Sequence, residues 1–137
     1  MDFSITISIR GEYFSPRKLL FMTSLPLKNC VEKGDIAFIK DHKKEYLNGC
    51  AEIKIEVGTA EEKIHQFNKL LDLLAANHDA IRQTGGSVIS IWIAILRSLQ
   101  GNWGLTSEQI RKIAQINASL AITYYQKVNE QHRIDIE

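Results

Sequence analysis

The sequence predicts an α+β fold in which an open, mainly antiparallel sheet of four to five strands is backed on one face by one long and two short helices, near the ferredoxin-like type. Strand-like alternation returns along the chain between stretches with helical spacing and helix caps. Three of the four main predicted strands have one apolar and one polar face. That pattern is typical of a sheet that helices cover on one side only.

Alternation of apolar and polar residues marks the predicted strands. Phe3 and three isoleucines alternate with polar residues over residues 3–10, and the pattern returns at residues 51–57. Residues 87–96 form a nearly continuous apolar run, as expected of a central strand, and residues 120–125 alternate again. A further short strand is predicted at residues 36–39, with the charged residues 41–45 forming a hairpin tip.

Caps and stop signals mark the predicted helices. Ser15-Pro16 has the residue types of an N-cap and a first helical position, which predicts a short helix. Thr59 is expected to cap a long helix with an apolar stripe, and Gly85-Gly86 is expected to end it. Thr106 and Gln109 fit the capping box of a second short helix.

Length and composition indicate one domain. The chain of 137 residues is 45% hydrophobic and 24% charged, which is ordinary for a globular protein. We therefore expect a single α+β domain over residues 1–125 and a polar C-terminal tail over residues 126–137. The net charge of +1 argues against a nucleic-acid binder, since such proteins need a basic surface to displace counterions.

The sequence also predicts a cytoplasmic protein. Residues 1–4 lack the basic and apolar stretches of a signal peptide. The longest apolar stretch, residues 88–96, is too short to span a bilayer, so no membrane association is expected. Cys30 and Cys50 are expected to be free thiols in a reducing compartment, with a structural disulfide as the alternative.

The sequence contains no recognisable motif for catalysis or metal binding. It has no glycine-rich nucleotide-binding loop, no zinc-protease motif and no nucleophile elbow. The four histidines are spread along the chain and match no recognised metal-binding motif. Glu52 and Glu56 stand four residues apart on a strand, too far for a coupled acid–base pair. We therefore expect a protein without catalytic residues, metal or cofactor, and not an enzyme.

The polar face of the predicted sheet carries the candidate binding residues. If the odd-numbered isoleucines of the third strand face the helices, Trp92 points to the opposite face, and Tyr125 does the same in the last strand. Trp, Tyr and Arg are enriched as anchors in protein interfaces. The predicted partner-binding residues are Trp92, Tyr125, Arg10, Glu52, Lys54 and Glu56. In the alternative interpretation, the C-terminal tail or a homodimer covers this face.

The loop over residues 100–104 is a second candidate site. It offers Gln100, Asn102 and Trp103 as residues that could contact a small ligand or line an unrecognised active site. A buried pocket there, containing a histidine or glutamate with a perturbed pKa, would favour this interpretation.

Several short motifs follow one another over almost the whole chain. They are Ile9-Arg10-Gly11, residues 15–20, Lys33-Gly34-Asp35, Gly85-Gly86 after the long helix, residues 100–105, residues 106–110 and residues 120–125. In this order the motifs resemble the bacterial family known as domain of unknown function 4279. The resemblance spans roughly residues 3–125. It implies an α+β fold and carries over no catalytic residues, because none is established for the family.

The resemblance implies a class of function. Members of the family look similar to immunity proteins that neutralise polymorphic or contact-dependent toxins. The resulting hypothesis is an immunity protein that binds a cognate toxin domain and blocks its active site. For a nuclease toxin, Glu52, Glu56 and the tail residues 130–137 would form a local acidic patch. The alternative is an RNA-binding or small-ligand-binding module, because aromatics on a sheet face can stack unpaired bases.

Overall fold

The central strand of the fold points its apolar side chains to one side. In a computed structural model, which describes residues 2–97 and 103–126, strand β1 (Asp2–Gly11) buries Ile5, Ile7 and Ile9 almost completely. The polar residues between them remain partly exposed. On either side of β1, strands β5 (Gly49–Ile55) and β6 (Val88–Arg97) pair with it antiparallel. The alternation predicted for these three strands is confirmed.

The remaining elements, in chain order, are α1 (Pro16–Met22), β2 (Lys28–Val31), β3 (Ile36–Ile39), β4 (His42–Glu45), α2 (Ala60–Ala76), α3 (His78–Gln83), α4 (Ser107–Gln115) and β7 (Ser119–Gln126). The main sheet has five strands in the order β2-β5-β1-β6-β7. Strand β2 pairs antiparallel with β5, and β7 pairs parallel with β6. Strands β3 and β4 form a separate two-stranded hairpin. The fold is therefore α+β with a mixed sheet.

The hydrophobic core lies between one face of the sheet and the helices. Phe67, Leu71 and Leu74 of α2 are buried against the inward isoleucines of the strands, and Ile113 of α4 joins them. The stripe on α2 has the three- and four-residue spacing that places such residues on one helical face. Within the described residues, no helix is long and apolar enough to span a membrane.

The predicted helix starts are confirmed in atomic detail. The hydroxyl of Ser15 accepts a hydrogen bond from the backbone N–H of Lys18, and Pro16 occupies the first turn of α1. Thr59 and Glu62 form a reciprocal capping box at the start of α2. These contacts satisfy N–H groups that have no partner inside the helix.

Glycines allow the backbone to pass close to itself where β1 ends and β5 begins. A Cβ atom on Gly49 would overlap the carbonyl of Phe14, and one on Gly11 would overlap the carbonyl of Gly85. Gly85 also has a φ of +95°, a conformation that L side chains rarely adopt. The glycine pair predicted as a helix end therefore also packs against the start of the segment leading to α1, where Ser15 donates its N–H to the carbonyl of Thr84.

The predicted long helix is interrupted. Asn77 ends α2 with a φ of −107° and a ψ of 13°, and α3 follows directly. Both the backbone N–H and the side-chain amide of Asn77 donate to the carbonyl of Leu73, at 3.0 and 2.8 Å. Asparagine side chains compete in this way with helix propagation, so the interruption has a local cause.

The segment between α1 and β5 contains more strand than the sequence predicted. Residues 42–45, predicted as a charged loop, form β4, and the tip of the hairpin is Lys40-Asp41, both with positive φ. Strand β2 had no alternation to mark it, because it is a short edge strand with a register shift. Glu56 and Val57, predicted as part of a strand, lie beyond the end of β5.

The sequence predicted a mainly antiparallel sheet, but the pairing of β7 with β6 is parallel. Two parallel neighbours need a crossover connection, and α4 lies in the connection between β6 and β7. The sequence prediction identified each of these elements but not this consequence of their order. The predicted tail begins at residue 126, which is the last residue of β7, and residues 127–137 lie outside the described part of the chain.

Candidate functional site

One face of the five-stranded sheet is left uncovered by the described helices, and we call it the open face. The cross-strand register places its residues in rows, because paired residues point to the same side. Its members are Asp2, Ser4, Thr6, Ser8, Arg10, Lys28, Cys50, Glu52, Lys54, Val88, Ser90, Trp92, Ala94, Leu96, Ser119, Ala121, Thr123 and Tyr125. Most are small or polar, so the large aromatic side chains stand out from their surroundings.

Trp92 lies near the middle of the open face. Its neighbours across the sheet are Thr6 on β1 and Ala121 on β7, and its side chain is 45% exposed. The indole Nε1–H donates a hydrogen bond of 2.9 Å to the hydroxyl of Thr123. This bond directs the indole toward β7 and restrains its orientation. An aromatic side chain that is already ordered loses less conformational entropy when a partner covers it.

Tyr125 lies on the same face, near the end of β7. It pairs in register with Leu96 of β6, and both side chains are more than two-fifths exposed. Leu96 stands four residues beyond Trp92 on the same strand, so the two aromatic positions are about 13 Å apart along the strand direction. The structure thus places Trp92 and Tyr125 on one face, as predicted, but apart from each other and not as a stacked pair.

The charged residues of the open face are mixed in sign. Glu52 is opposite Lys28 in the register and accepts a 3.4 Å hydrogen bond from Asn29. Lys54 lies 3.7 Å from Glu56, which follows the end of β5. Within the described residues, Glu52 and Glu56 therefore stand beside lysines instead of forming an acidic patch. A mixed surface of this kind favours specificity over long-range attraction of one charge type.

Arg10 lies at the opposite end of β1 from Asp2, on the same face. It is paired in register with Cys50 on one side and Val88 on the other, and its side chain is exposed. Its guanidinium is therefore available at the rim of the open face.

The loop candidates fall partly outside the described residues. Gln100 and Asn102 lie in the undescribed segment 98–102. Trp103 is partly buried, and its ring centroid lies 5.7 Å from that of Phe3 in a tilted arrangement. This contact stabilises the edge of the core, and a role for Trp103 in a ligand site stays a prediction.

Two surface depressions border the sheet. One, of about 190 Å³, is lined by open-face residues including Ser4, Leu96 and Tyr125. The other, of about 440 Å³, lies where β5 meets α2, and its walls include Lys28, Lys54 and Glu62. Binding sites for small molecules are typically mostly apolar cavities of roughly 300–1,000 Å³. The first depression is smaller than this, and the second is walled by flexible charged side chains.

Asp2 and Lys63 form the most buried charged contact among the described residues. The ammonium of Lys63 donates to the Asp2 carboxylate at 2.6 Å and to the carbonyl of Phe3 at 2.7 Å. The hydrogen bond from Lys63 lowers the pKa of Asp2 below its usual value. This contact fastens α2 to β1.

Neither cysteine is an activated nucleophile. Cys30 and Cys50 are free thiols on neighbouring strands, as predicted. Burial raises the pKa of both, the opposite of what a reactive cysteine needs. Among the residues that the structure describes, no group of three or more histidines, cysteines or carboxylates is placed to hold a metal ion.

The sequence prediction missed a set of exposed apolar residues away from the open face. Phe21 on α1 is 94% exposed, and Phe38 on the β3–β4 hairpin is also largely exposed. The apolar run of β3 correctly predicted a strand. It did not predict that the strand is exposed, since that exposure follows from β3 and β4 forming a two-stranded hairpin separate from the main sheet. Each of these residues is a competing candidate for contact with a partner.

Comparison with protein-family models, with curated proteins and with solved structures found no significant match for this chain. The likeness to the domain of unknown function 4279 family therefore stays a prediction from short motifs.

Proposed function

We propose that this chain is an immunity protein that acts in the cytoplasm, where its open face binds a cognate bacterial toxin domain and blocks the toxin's active site. The observation that carries the proposal is the presence of two half-exposed aromatic residues, Trp92 and Tyr125, on a sheet face where most residues are small or polar. Because both side chains are about half exposed, packing in the hydrophobic core does not account for them. Buried aromatic anchors surrounded by polar contacts are the usual energetic centre of protein interfaces.

The dimensions of the open face support a protein partner. Five strands spaced at about 4.8 Å and about eight residues long give an area of roughly 24 by 27 Å, or about 650 Å². A standard protein interface buries about 800 Å² on each partner. The open face therefore supplies most of such an interface, and the surrounding loops would supply the rest.

The mixed charges of the open face support a partner of similar character. A strongly basic cleft would be met best by an acidic surface, whereas here Glu52 and Glu56 lie beside Lys28 and Lys54. We therefore propose a toxin domain whose contact surface carries both signs of charge around an apolar centre that receives Trp92.

We also propose that the chain from β1 to β6 is of the ferredoxin-like type, extended by α4 and β7. The support is the strand order β2-β5-β1-β6, with antiparallel pairing throughout and helices between β1 and β2 and between β5 and β6. The hairpin β3–β4 is then an insertion, and β7 an added edge strand. A crystal structure with a different strand order would contradict this assignment.

An RNA-binding role receives less support from the same face. Sheet-based RNA readers stack neighbouring bases on aromatics that lie close together. Here Trp92 and Tyr125 are about 13 Å apart along the strands, and the face carries mixed charges. Salt-dependent binding of single-stranded RNA, weakened by Trp92→Ala, would favour the RNA-binding alternative over the immunity proposal.

Co-expression with the toxin domains encoded beside this gene tests the proposal. We expect the chain to copurify with one of them and to restore growth of cells that express it. Ala94→Arg places a long charged side chain in the middle of the open face, between Ser4 and Thr123, and should abolish both effects. Gln83→Arg, on an exposed position of α3, is the matched control and should retain both.

Two results would contradict the proposal. One is the absence of any toxin domain that binds the chain or is neutralised by it. The other is full protection by Ala94→Arg, which would remove the open face from the mechanism.

A further inference from the structure

We propose that β7 is a pairing edge at which two copies of this chain join their sheets, antiparallel and about a two-fold axis. This pairing edge is independent of the toxin-binding surface. The two edge strands of the sheet, β2 and β7, differ in how well they are protected against pairing with another chain.

Strand β2 has the features of a protected edge. It is only four residues long, its register against β5 shifts between Lys28 and Val31, and Asn29 within it has a φ of 51°. Short length, a bulge and a lysine are the devices by which natural sheets prevent pairing with another chain. Edge-to-edge association through β2 is therefore disfavoured.

Strand β7 has none of these features. It runs for eight residues, Ser119–Gln126, and pairs with β6 in unbroken register. Its sequence contains no proline and no charged residue. Within the described residues, no strand pairs with its outer side. A long, uncharged edge in unbroken register is a template for the addition of a strand.

The side chains of β7 are also incompletely covered. Leu120 and Ile122 point to the helix side of the sheet, since they pair with the buried Ile91 and Ile93, yet they are 38% and 39% exposed. The helix layer thus covers β6 fully and β7 only in part. An added strand with apolar residues on the same side would complete this edge of the core.

A second copy of β7 meets these requirements. Antiparallel pairing about a two-fold axis normal to the sheet keeps both helix layers on one side and both open faces on the other. It sets the Leu120 and Ile122 stripe of one copy beside the same stripe of the other, and no like charges oppose each other. Because the β2 edge is protected, the pairing stops at a closed dimer instead of extending into a filament.

The expected contact is small. An eight-residue strand pair with its flanking side chains buries roughly 1,000 Å² in total, at the low end for specific interfaces. We therefore expect a dimer with a dissociation constant on the order of micromolar, visible on dilution.

Sedimentation velocity over a concentration series tests the proposal. The wild-type chain should shift from monomer to dimer between about 1 and about 300 µM. Ile122→Lys, which opposes like charges across the two-fold axis, should weaken dimerisation at least tenfold, and so should Ile122→Glu. Mixing the two variants should restore dimers through opposite charges. Ile110→Lys, on the exposed side of α4, is the control and should dimerise as the wild type does.

Hydrogen exchange of the β7 amides provides a second measurement that does not depend on variants. Protection of alternate β7 amides should rise with protein concentration. A wild-type chain that stays monomeric overturns the proposal. So does a dimer that both Ile122 variants leave intact, since another surface then forms it. Concentration-independent protection of the outer β7 amides also overturns it, because a segment of the same chain, such as residues 127–137, then occupies the edge.

Discussion

Lys63 shows how a single buried charge fixes two elements to each other. Lys63 is only 3% exposed on the apolar side of α2, yet its ammonium has two partners on β1, the Asp2 carboxylate and the Phe3 carbonyl. Buried charges need such partners, because their desolvation is costly. The sequence could not predict this contact. Lys63 interrupts no alternation, and its partners lie about 60 residues away.

The Asp2–Lys63 contact predicts a pH dependence of stability. Because the folded-state pKa of Asp2 is lowered, its contribution is fully present above the unfolded value near 3.8 and is lost as the pH falls through the lower folded value. We expect Asp2→Asn to reduce the free energy of unfolding by at most about 1 kcal/mol at neutral pH, since Asp2 is largely exposed.

Urea unfolding at a series of pH values measures this effect. The difference between the wild type and Asp2→Asn should vanish as the pH approaches the acid limit. Asp41→Asn, at the hairpin tip, is the control and should follow the wild-type curve. A constant difference at every pH would mean that the Asp2 carboxylate has no lowered pKa.

At the scale of elements, α4 combines a predictable local feature with an unpredictable contact. The capping box of Thr106 and Gln109 follows from residue spacing, and the structure confirms it. The same Gln109 is buried, and its side-chain amide donates a 2.8 Å hydrogen bond to Asn68 of α2. Nothing local to α4 indicates this second bond, because it depends on how the two helices dock.

Gln109 should therefore contribute more to stability than a cap alone. Gln109→Ala removes both bonds and should lower the free energy of unfolding by about 2 kcal/mol, whereas Asn68→Ala should cost about 1 kcal/mol. The exposed Glu108→Gln should stay within about 0.5 kcal/mol of the wild type. Equal losses for Gln109→Ala and Asn68→Ala in urea unfolding would show that the cap contributes nothing.

At the scale of the whole molecule, the sequence predicted which faces are buried better than which strands pair. The inward isoleucines of β1 and β6 and the outward Trp92 follow from alternation alone. Strand order and the parallel pairing of β7 do not, since they depend on contacts between distant segments. The break at Asn77 was missed for a different reason: the apolar stripe continues across it to Ile81, which is also buried.

The candidate site also had features that the sequence predicted and features that it did not. Membership of the open face was predictable for Trp92 and Tyr125, because it depends only on strand parity. The register between strands was needed to predict that Trp92 donates a hydrogen bond to Thr123 and that Glu52 lies opposite Lys28. The exposure of Phe21 and Phe38 could be predicted only from the positions of α1 and the β3–β4 hairpin in the fold.

We propose that the open face, through Trp92, is the surface that binds the partner. Calorimetric titration of the cognate toxin domain with folded variants tests this assignment. Trp92→Ala should raise the dissociation constant at least about tenfold, or about 1.4 kcal/mol, while Trp92→Phe, which keeps an aromatic ring, should lose less. Thr123→Val removes only the hydrogen bond to the indole and should have an intermediate effect.

Phe21→Ser and Phe38→Ser are the matched controls, because they remove exposed aromatics elsewhere on the surface. Both variants should bind the toxin domain within twofold of the wild type. Unchanged binding by Trp92→Ala together with a tenfold loss in Phe38→Ser would contradict it and assign the interface to the β3–β4 hairpin.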